Sequence, residues 1–125
     1  MSPAAFVGLV VAGAAGALAR YLVTRAVQAR TRSALPWGTF VVNVTGSFVL
    51  GVLTGAGLHH GLAETPRIVL GVGFCGAFTT FSTLAVETVR LVETGSPGAA
   101  LRNLVGSTAS GLIAAAAGLG ISAAL

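Results

Sequence analysis

Gly73-Phe74-Cys75-Gly76-Ala77-Phe78-Thr79-Thr80-Phe81-Ser82-Thr83-Leu84 sets two glycines and four hydroxyl residues in the middle of an otherwise apolar segment. Apolar sequence of that length reads as a membrane helix, and hydrocarbon offers nothing to a backbone N–H or C=O released by a break. An interruption survives there only where it is buried in protein or lines a polar cavity or ion path. The stretch therefore predicts a membrane helix broken near its middle.

The chain around it is equally apolar. Of its 125 residues, 54% are hydrophobic and 8% charged, which no ordinary soluble domain matches. Residues 3–19, 35–58, 68–86 and 103–125 carry no charge, and about 20 residues cross a bilayer. Allowing for continuation past ionisable residues, the expected spans are 3–26, 35–58, 66–92 and 98–123. The fold class is thus an all-α membrane protein, one four-helix domain over residues 1–125.

Pro3, Pro36, Pro66 and Pro97 fall one at the start of each span, where a missing N–H costs little. Ser2, Thr65 and Ser96 precede three of them as N-caps. The first span has its arginines after its apolar run, the reverse of a signal peptide, so it is expected to stay in the mature protein. Cys75 is the only cysteine and reads as a small buried hydrophobe.

The net charge of +4 comes from seven arginines and no lysine. Their positions exclude a nucleic-acid partner, because they flank apolar spans and form no basic face. Arg25, Arg30, Arg32, Arg90 and Arg102 border the first and third connections, while the second has Arg67 alone. By the positive-inside rule, the first and third connections are cytoplasmic and both termini lie outside.

Polar residues inside the spans form stripes. Thr39, Asn43 and Ser47 share a face of the second span; Asn103, Ser107 and Ser110 or Gly111 do so on the fourth; Thr80, Thr83 and Glu87 on the third. Single residues of this kind bond across helices, and small residues such as the Gly51-x-x-x-Gly55 pair allow close packing. Stripes that run for several turns toward a glycine-broken segment are more than packing requires. They predict a polar track.

Enzyme chemistry is absent from the pattern, with no nucleophile beside a base, no metal-ligand cluster and no phosphate loop. His59 and His60 are neighbours expected in the second connection, and Glu64 and Glu93 read as loop or helix-end charges. What remains is donation by hydroxyls and amides, the weakly positive edges of Phe rings, and carbonyls freed at the break. Donors suit a passing anion; freed carbonyls suit a held cation.

At these residues the chain resembles the Fluc (CrcB) family of fluoride channels. The resemblance is carried by Gly16-Ala17-Leu18-Ala19-Arg20-Tyr21, by Gly38-Thr39-Phe40-Val41-Val42-Asn43-Val44-Thr45-Gly46-Ser47-Phe48, and by the stretch from Gly73 to Thr83. It implies a passive fluoride-selective channel that lowers cytoplasmic fluoride in a bacterial cell membrane. It also implies an antiparallel, dual-topology dimer with pores along the subunit seam. A structural, untransported sodium ion would be held at the dimer centre by the carbonyls of Gly76 and Thr79.

Carried over by motif, Asn43 resembles the pore amide and Phe81 the first pore phenylalanine, with Thr80, Ser82, Thr39, Ser107 and Ser110 along the track. Arg20 and Glu87 resemble vestibule residues. Leu84 stands where the family's second pore phenylalanine is expected. The dimer partner is either a second copy or an inversely oriented paralogue, and the arginine asymmetry suits the latter. Two rivals are a small multidrug-type antiparallel transporter, which needs an acidic residue absent from this first span, and a non-conducting structural membrane subunit.

Overall fold

The chain enters its first helix at Ser2, whose hydroxyl accepts the Ala5 amide at 3.1 Å in the computed structural model of residues 1–125. Helix α1 spans Pro3–Arg30 and α2 spans Trp37–His59. The third span begins with the short α3, Glu64–Arg67, and widens into a π-helix over Ile68–Cys75. It closes with one α turn, α4, Gly76–Phe78. After a gap at Thr79 and Thr80 it resumes as α5, Phe81–Glu93, and α6, Pro97–Ala124, ends the fold. The four spans are 28, 23, 30 and 28 residues long, each enough to cross a bilayer. The chain is therefore a multi-pass membrane protein of four helices, the third broken.

Several local expectations change. Helix α1 continues to Arg30, past the expected end at residue 26, so Arg30 rides on a helix and not in the first connection. Pro3 and Pro97 sit in the first turns of their helices, but Pro36 takes the cap position itself and Pro66 lies inside α3. Ala63 precedes that helix, so Thr65 caps nothing; Ser96 stands at the head of α6 without a side-chain cap bond. Gly95, at φ 83°, turns the chain out of α5 with its amide on Val92 O, a left-handed conformation that glycine adopts without a Cβ clash.

The most extensive pairing is α2 on α6. Glycines let these backbones meet: a Cβ on Gly51 would strike the Ala115 carbonyl, one on Gly118 the Phe48 carbonyl, and one on Gly55 the Ser122 side chain. Helix α1 packs on the π-helical stretch in the same manner, with Gly16 beneath the Phe74 carbonyl and Gly73 beneath Leu9 O. Gly73 is thus a packing glycine, whereas a Cβ on Gly76 would meet nothing closer than Gly71 O at 3.8 Å. Large apolar side chains point outward along all four spans, as in Phe6, Val10, Leu50, Val72, Val89 and Ile113. Between helices, lipid provides no hydrophobic drive, so this close backbone contact is what holds the bundle together.

His60 is not a free loop residue. It follows the last residue of α2, and its Nε2 meets Ser122 O of α6, tying the two helix ends. Substituting His60 by alanine is expected to loosen that end by about 1 kcal/mol or less, the worth of one exchangeable hydrogen bond. Thermal unfolding in detergent checks it, with ion conduction unaffected.

Candidate functional site

The gap in the third span is closed by side chains. Thr79 (φ −86°, ψ 159°) and Thr80 (φ −152°, ψ 124°) are extended, so the helical ladder stops there. The Thr80 amide, which an unbroken helix would send to Gly76 O, donates to Asn43 Oδ1 at 2.7 Å. Asn43 Nδ2 donates in return to Thr80 O at 2.9 Å. One carboxamide on α2 thus satisfies both backbone polar groups of Thr80, which hydrocarbon would leave stranded. Arg20 of α1 adds a long bond, Nη1 to Thr79 O at 3.4 Å.

Thr80 also restarts the helix. Its Oγ1 accepts the Thr83 amide at 3.2 Å and lies 3.0 Å from Thr83 Oγ1 and 3.3 Å from Ser82 Oγ. The hydroxyl cluster after the break is first an N-cap for α5. Gly46 of α2 leaves room for Thr79, whose methyl a Cβ there would hit.

Beside this junction lies an open cavity of about 340 Å³ between α2, the break and α6. Asn43, Ser47, Thr79, Thr80, Ser107 and Thr108 supply its polar wall, and Phe81, Leu84, Leu112 and Ala115 its apolar one. Which donors are free can be read from the bonds already made. Thr24, Thr45, Thr54, Thr79, Thr88 and Thr94 turn their hydroxyls back on carbonyls of the preceding turn. Ser47, Ser107 and Thr108 do not, and they face the cavity. Asn43 Nδ2 bears two hydrogens, of which Thr80 O takes one, so the amide keeps a second to offer.

A second cavity, about 390 Å³, lies on the arginine-rich side of the break. Arg20, Tyr21, Thr24, Arg25, Gln28, Thr39, Thr80 and Thr83 line it, with the Arg25 guanidinium 2.8 Å from the Tyr21 hydroxyl. Thr80 belongs to both cavities. Thr39 is 2% exposed, and its hydroxyl faces the Glu87 carboxylate of α5, with neither Thr39 Oγ1 nor Glu87 Oε1 closing a full hydrogen bond; Glu87 borders a smaller recess with Arg90. Buried polar atoms without partners are costly, and in membrane interiors they mark water or ion paths.

The structure brings Asn43, Thr79, Thr80, Phe81, Leu84 and Ser107 together around one cavity, and Arg20 and Thr39 around the next. Phe81 forms the outer rim and is 75% exposed. Leu84 is buried in the wall. Ser82 and Ser110 are outside the first cavity, Gly111 taking the place considered for Ser110. Asn103 is engaged elsewhere, donating to Thr88 Oγ1 at 3.0 Å. The sequence reading missed Thr108, Leu112 and Ala115. Thr108 was detectable as the hydroxyl next to Ser107, but a four-residue stripe started from Asn103 steps over it.

A broken membrane helix whose stranded peptide is held by a carboxamide, beside a pocket of uncommitted donors, defines a compact membrane protein built around a polar conduit. Comparison of sequences names the group within that class. A family model described as CrcB-like protein, Camphor Resistance (CrcB), matches residues 7–119, and the chain belongs to the CrcB family. It is similar to the Fluoride-specific ion channel FluC 1 of Streptomyces avermitilis, at 49% identity over 94% of this chain and 95% of that one. The Fluoride-specific ion channel FluC 1 of Symbiobacterium thermophilum is 49% identical over 89% of this chain and 91% of its own. The Fluoride-specific ion channel FluC 2 of Natronomonas pharaonis is 48% identical over 90% of each.

Proposed function

We propose that this chain forms a passive, fluoride-specific ion channel in a bacterial cell membrane and lowers cytoplasmic fluoride. The observation that carries the reading is the set of uncommitted donors, from Asn43, Ser47, Ser107 and Thr108, gathered at the break of a CrcB-family chain. A small anion stripped of water needs hydrogen-bond donors in its place, and ring edges such as that of Phe81 add weakly positive rims. Arg20 and Arg25 in the adjoining cavity raise the local anion concentration without having to bind tightly. No covalent bond is made or broken along such a path, so the protein is a conduit and not an enzyme.

The cavity is open on one side, with Phe81 at its rim, which supports completion by a second chain packed antiparallel. That chain is either a second copy or an inversely oriented paralogue. The arginine asymmetry favours the paralogue, because a strongly biased chain inserts in one orientation.

The residues at the break also fit a structural sodium ion. Gly76 O has lost the Thr80 amide, and Thr79 O carries only the long Arg20 contact, so both oxygens retain accepting capacity. They are neutral, and no group of three or more His, Cys, Asp or Glu residues is placed to hold a metal, which suits a monovalent and not a divalent cation. Gly76 and Thr79 would hold the ion, whose charge would steady the break and is not carried across.

Efflux from proteoliposomes, followed with electrodes for each halide, tests the function. Fluoride release without chloride release is expected, from this chain alone or after co-expression with an inverse paralogue. Equal release of both ions, or of neither under both conditions, overturns the reading. Robust flux from the chain alone would remove the need for a paralogue. Ser107→Ala should slow fluoride release roughly fivefold, since one neutral hydrogen bond is worth about 1 kcal/mol.

A further inference from the structure

A third cavity, of about 230 Å³, adjoins the path described above only at Ser107, which lines both. It lies between the start of α2 and the first half of α6, walled by Leu35, Pro36, Trp37 and Phe40, with Arg102 and Asn103 at its mouth and Gly106 and Ser107 at its inner end. Trp37 meets Phe40 edge to face at 5.3 Å, making a firm apolar wall, and Trp37 remains 39% exposed. Arg102 is exposed and, unlike Arg20 and Arg25, makes no hydrogen bond within the chain. The groove opens on the membrane end that also carries Arg25, Arg30, Arg32 and Arg90.

We propose that this groove is a binding site for an anionic phospholipid, with the headgroup phosphate on Arg102 and the upper acyl chain along Trp37 and Phe40. Charge selects the occupant: an apolar slot between helices with one unpartnered guanidinium at the headgroup level is complementary to a lipid anion and not to a zwitterion. Tryptophan at that depth is where an indole sits best, its ring half in the hydrocarbon boundary. The site goes beyond the channel reading and does not depend on it.

The test is native mass spectrometry of the full chain released from bilayers of equal phosphatidylcholine and phosphatidylglycerol. Wild type is expected to retain phosphatidylglycerol in preference. Arg102→Gln should lower that retention about fivefold, the effect of one basic residue at an anionic surface. Arg102→Lys should keep most of it, and Arg32→Gln, which removes the same charge from the connection outside the groove, should leave it unchanged. Three results would overturn the site: equal retention by Arg102→Gln and wild type, an equal loss in Arg32→Gln, or a wild type that retains no phosphatidylglycerol because a second copy covers the groove. Arg102 has no partner in the chain, so loss of fold does not mask the outcome, and size-exclusion profiles of each variant check this.

Discussion

Replacing Asn43 by leucine is expected to reduce fluoride efflux roughly 100-fold or more, because two backbone groups lose their partners and each costs about 1–3 kcal/mol when stranded. The carboxamide accepts from Thr80 N at 2.7 Å and donates to Thr80 O at 2.9 Å, and leucine can do neither. The break would then close toward a continuous helix or splay into the cavity. In either case Thr80, which lines both polar cavities, moves out of place. Asn43→Asp separates position from chemistry. It retains an acceptor for the Thr80 amide but has no N–H for the carbonyl or for an anion, and it adds a negative charge. Flux from Asn43→Asp should therefore be as low as from the leucine variant, while its thermal stability falls less. Efflux near the wild-type rate from either variant would show that the carboxamide is dispensable.

Gly118→Val should abolish conduction without touching any group that faces the cavity. A Cβ at Gly118 would run into the Phe48 carbonyl and stand 2.8 Å from Val52 N, both on the backbone of α2, which has no rotamer to yield. Overpacking costs about 1–3 kcal/mol even where side chains can shift, and here two helix axes must separate. That separation would draw Ser107 and Thr108 of α6 away from Asn43 and Ser47 of α2. Gly120→Val is the control, since a Cβ there meets nothing within 4 Å. The expected pattern is a lowered melting temperature and no flux for Gly118→Val, with both near normal for Gly120→Val. Equal behaviour of the two variants would remove close α2–α6 packing from the account.

Much of the fold was legible in the residues because membrane insertion depends on quantities that add along the chain. Apolar length, charge-free runs and proline placement are local, and they predict the four membrane-crossing helices that are observed. The break was legible for the same reason: glycine followed by Thr79-Thr80 cannot sit unremarked in hydrocarbon. The resemblance to a family of channels included Arg20, Asn43 and the stretch itself, and these residues meet at the Thr79–Thr80 junction.

The assignment of partners was not legible. Nothing in a four-residue stripe says that the Asn43 amide is half spent on Thr80, or that the Thr80 hydroxyl caps α5 while the Thr108 hydroxyl stays free. Nor did it show that Gly73 is a contact surface for Leu9 and Gly76 is open. Periodicity places a side chain on a face, but a hydrogen bond is a choice among competing partners within about 3 Å, and those partners come from helices distant in sequence. The amino-acid order therefore established that this chain crosses a membrane four times around a deliberate gap. Which of its polar groups close that gap, and which are left facing the path, was settled by how α1, α2 and α6 pack against it.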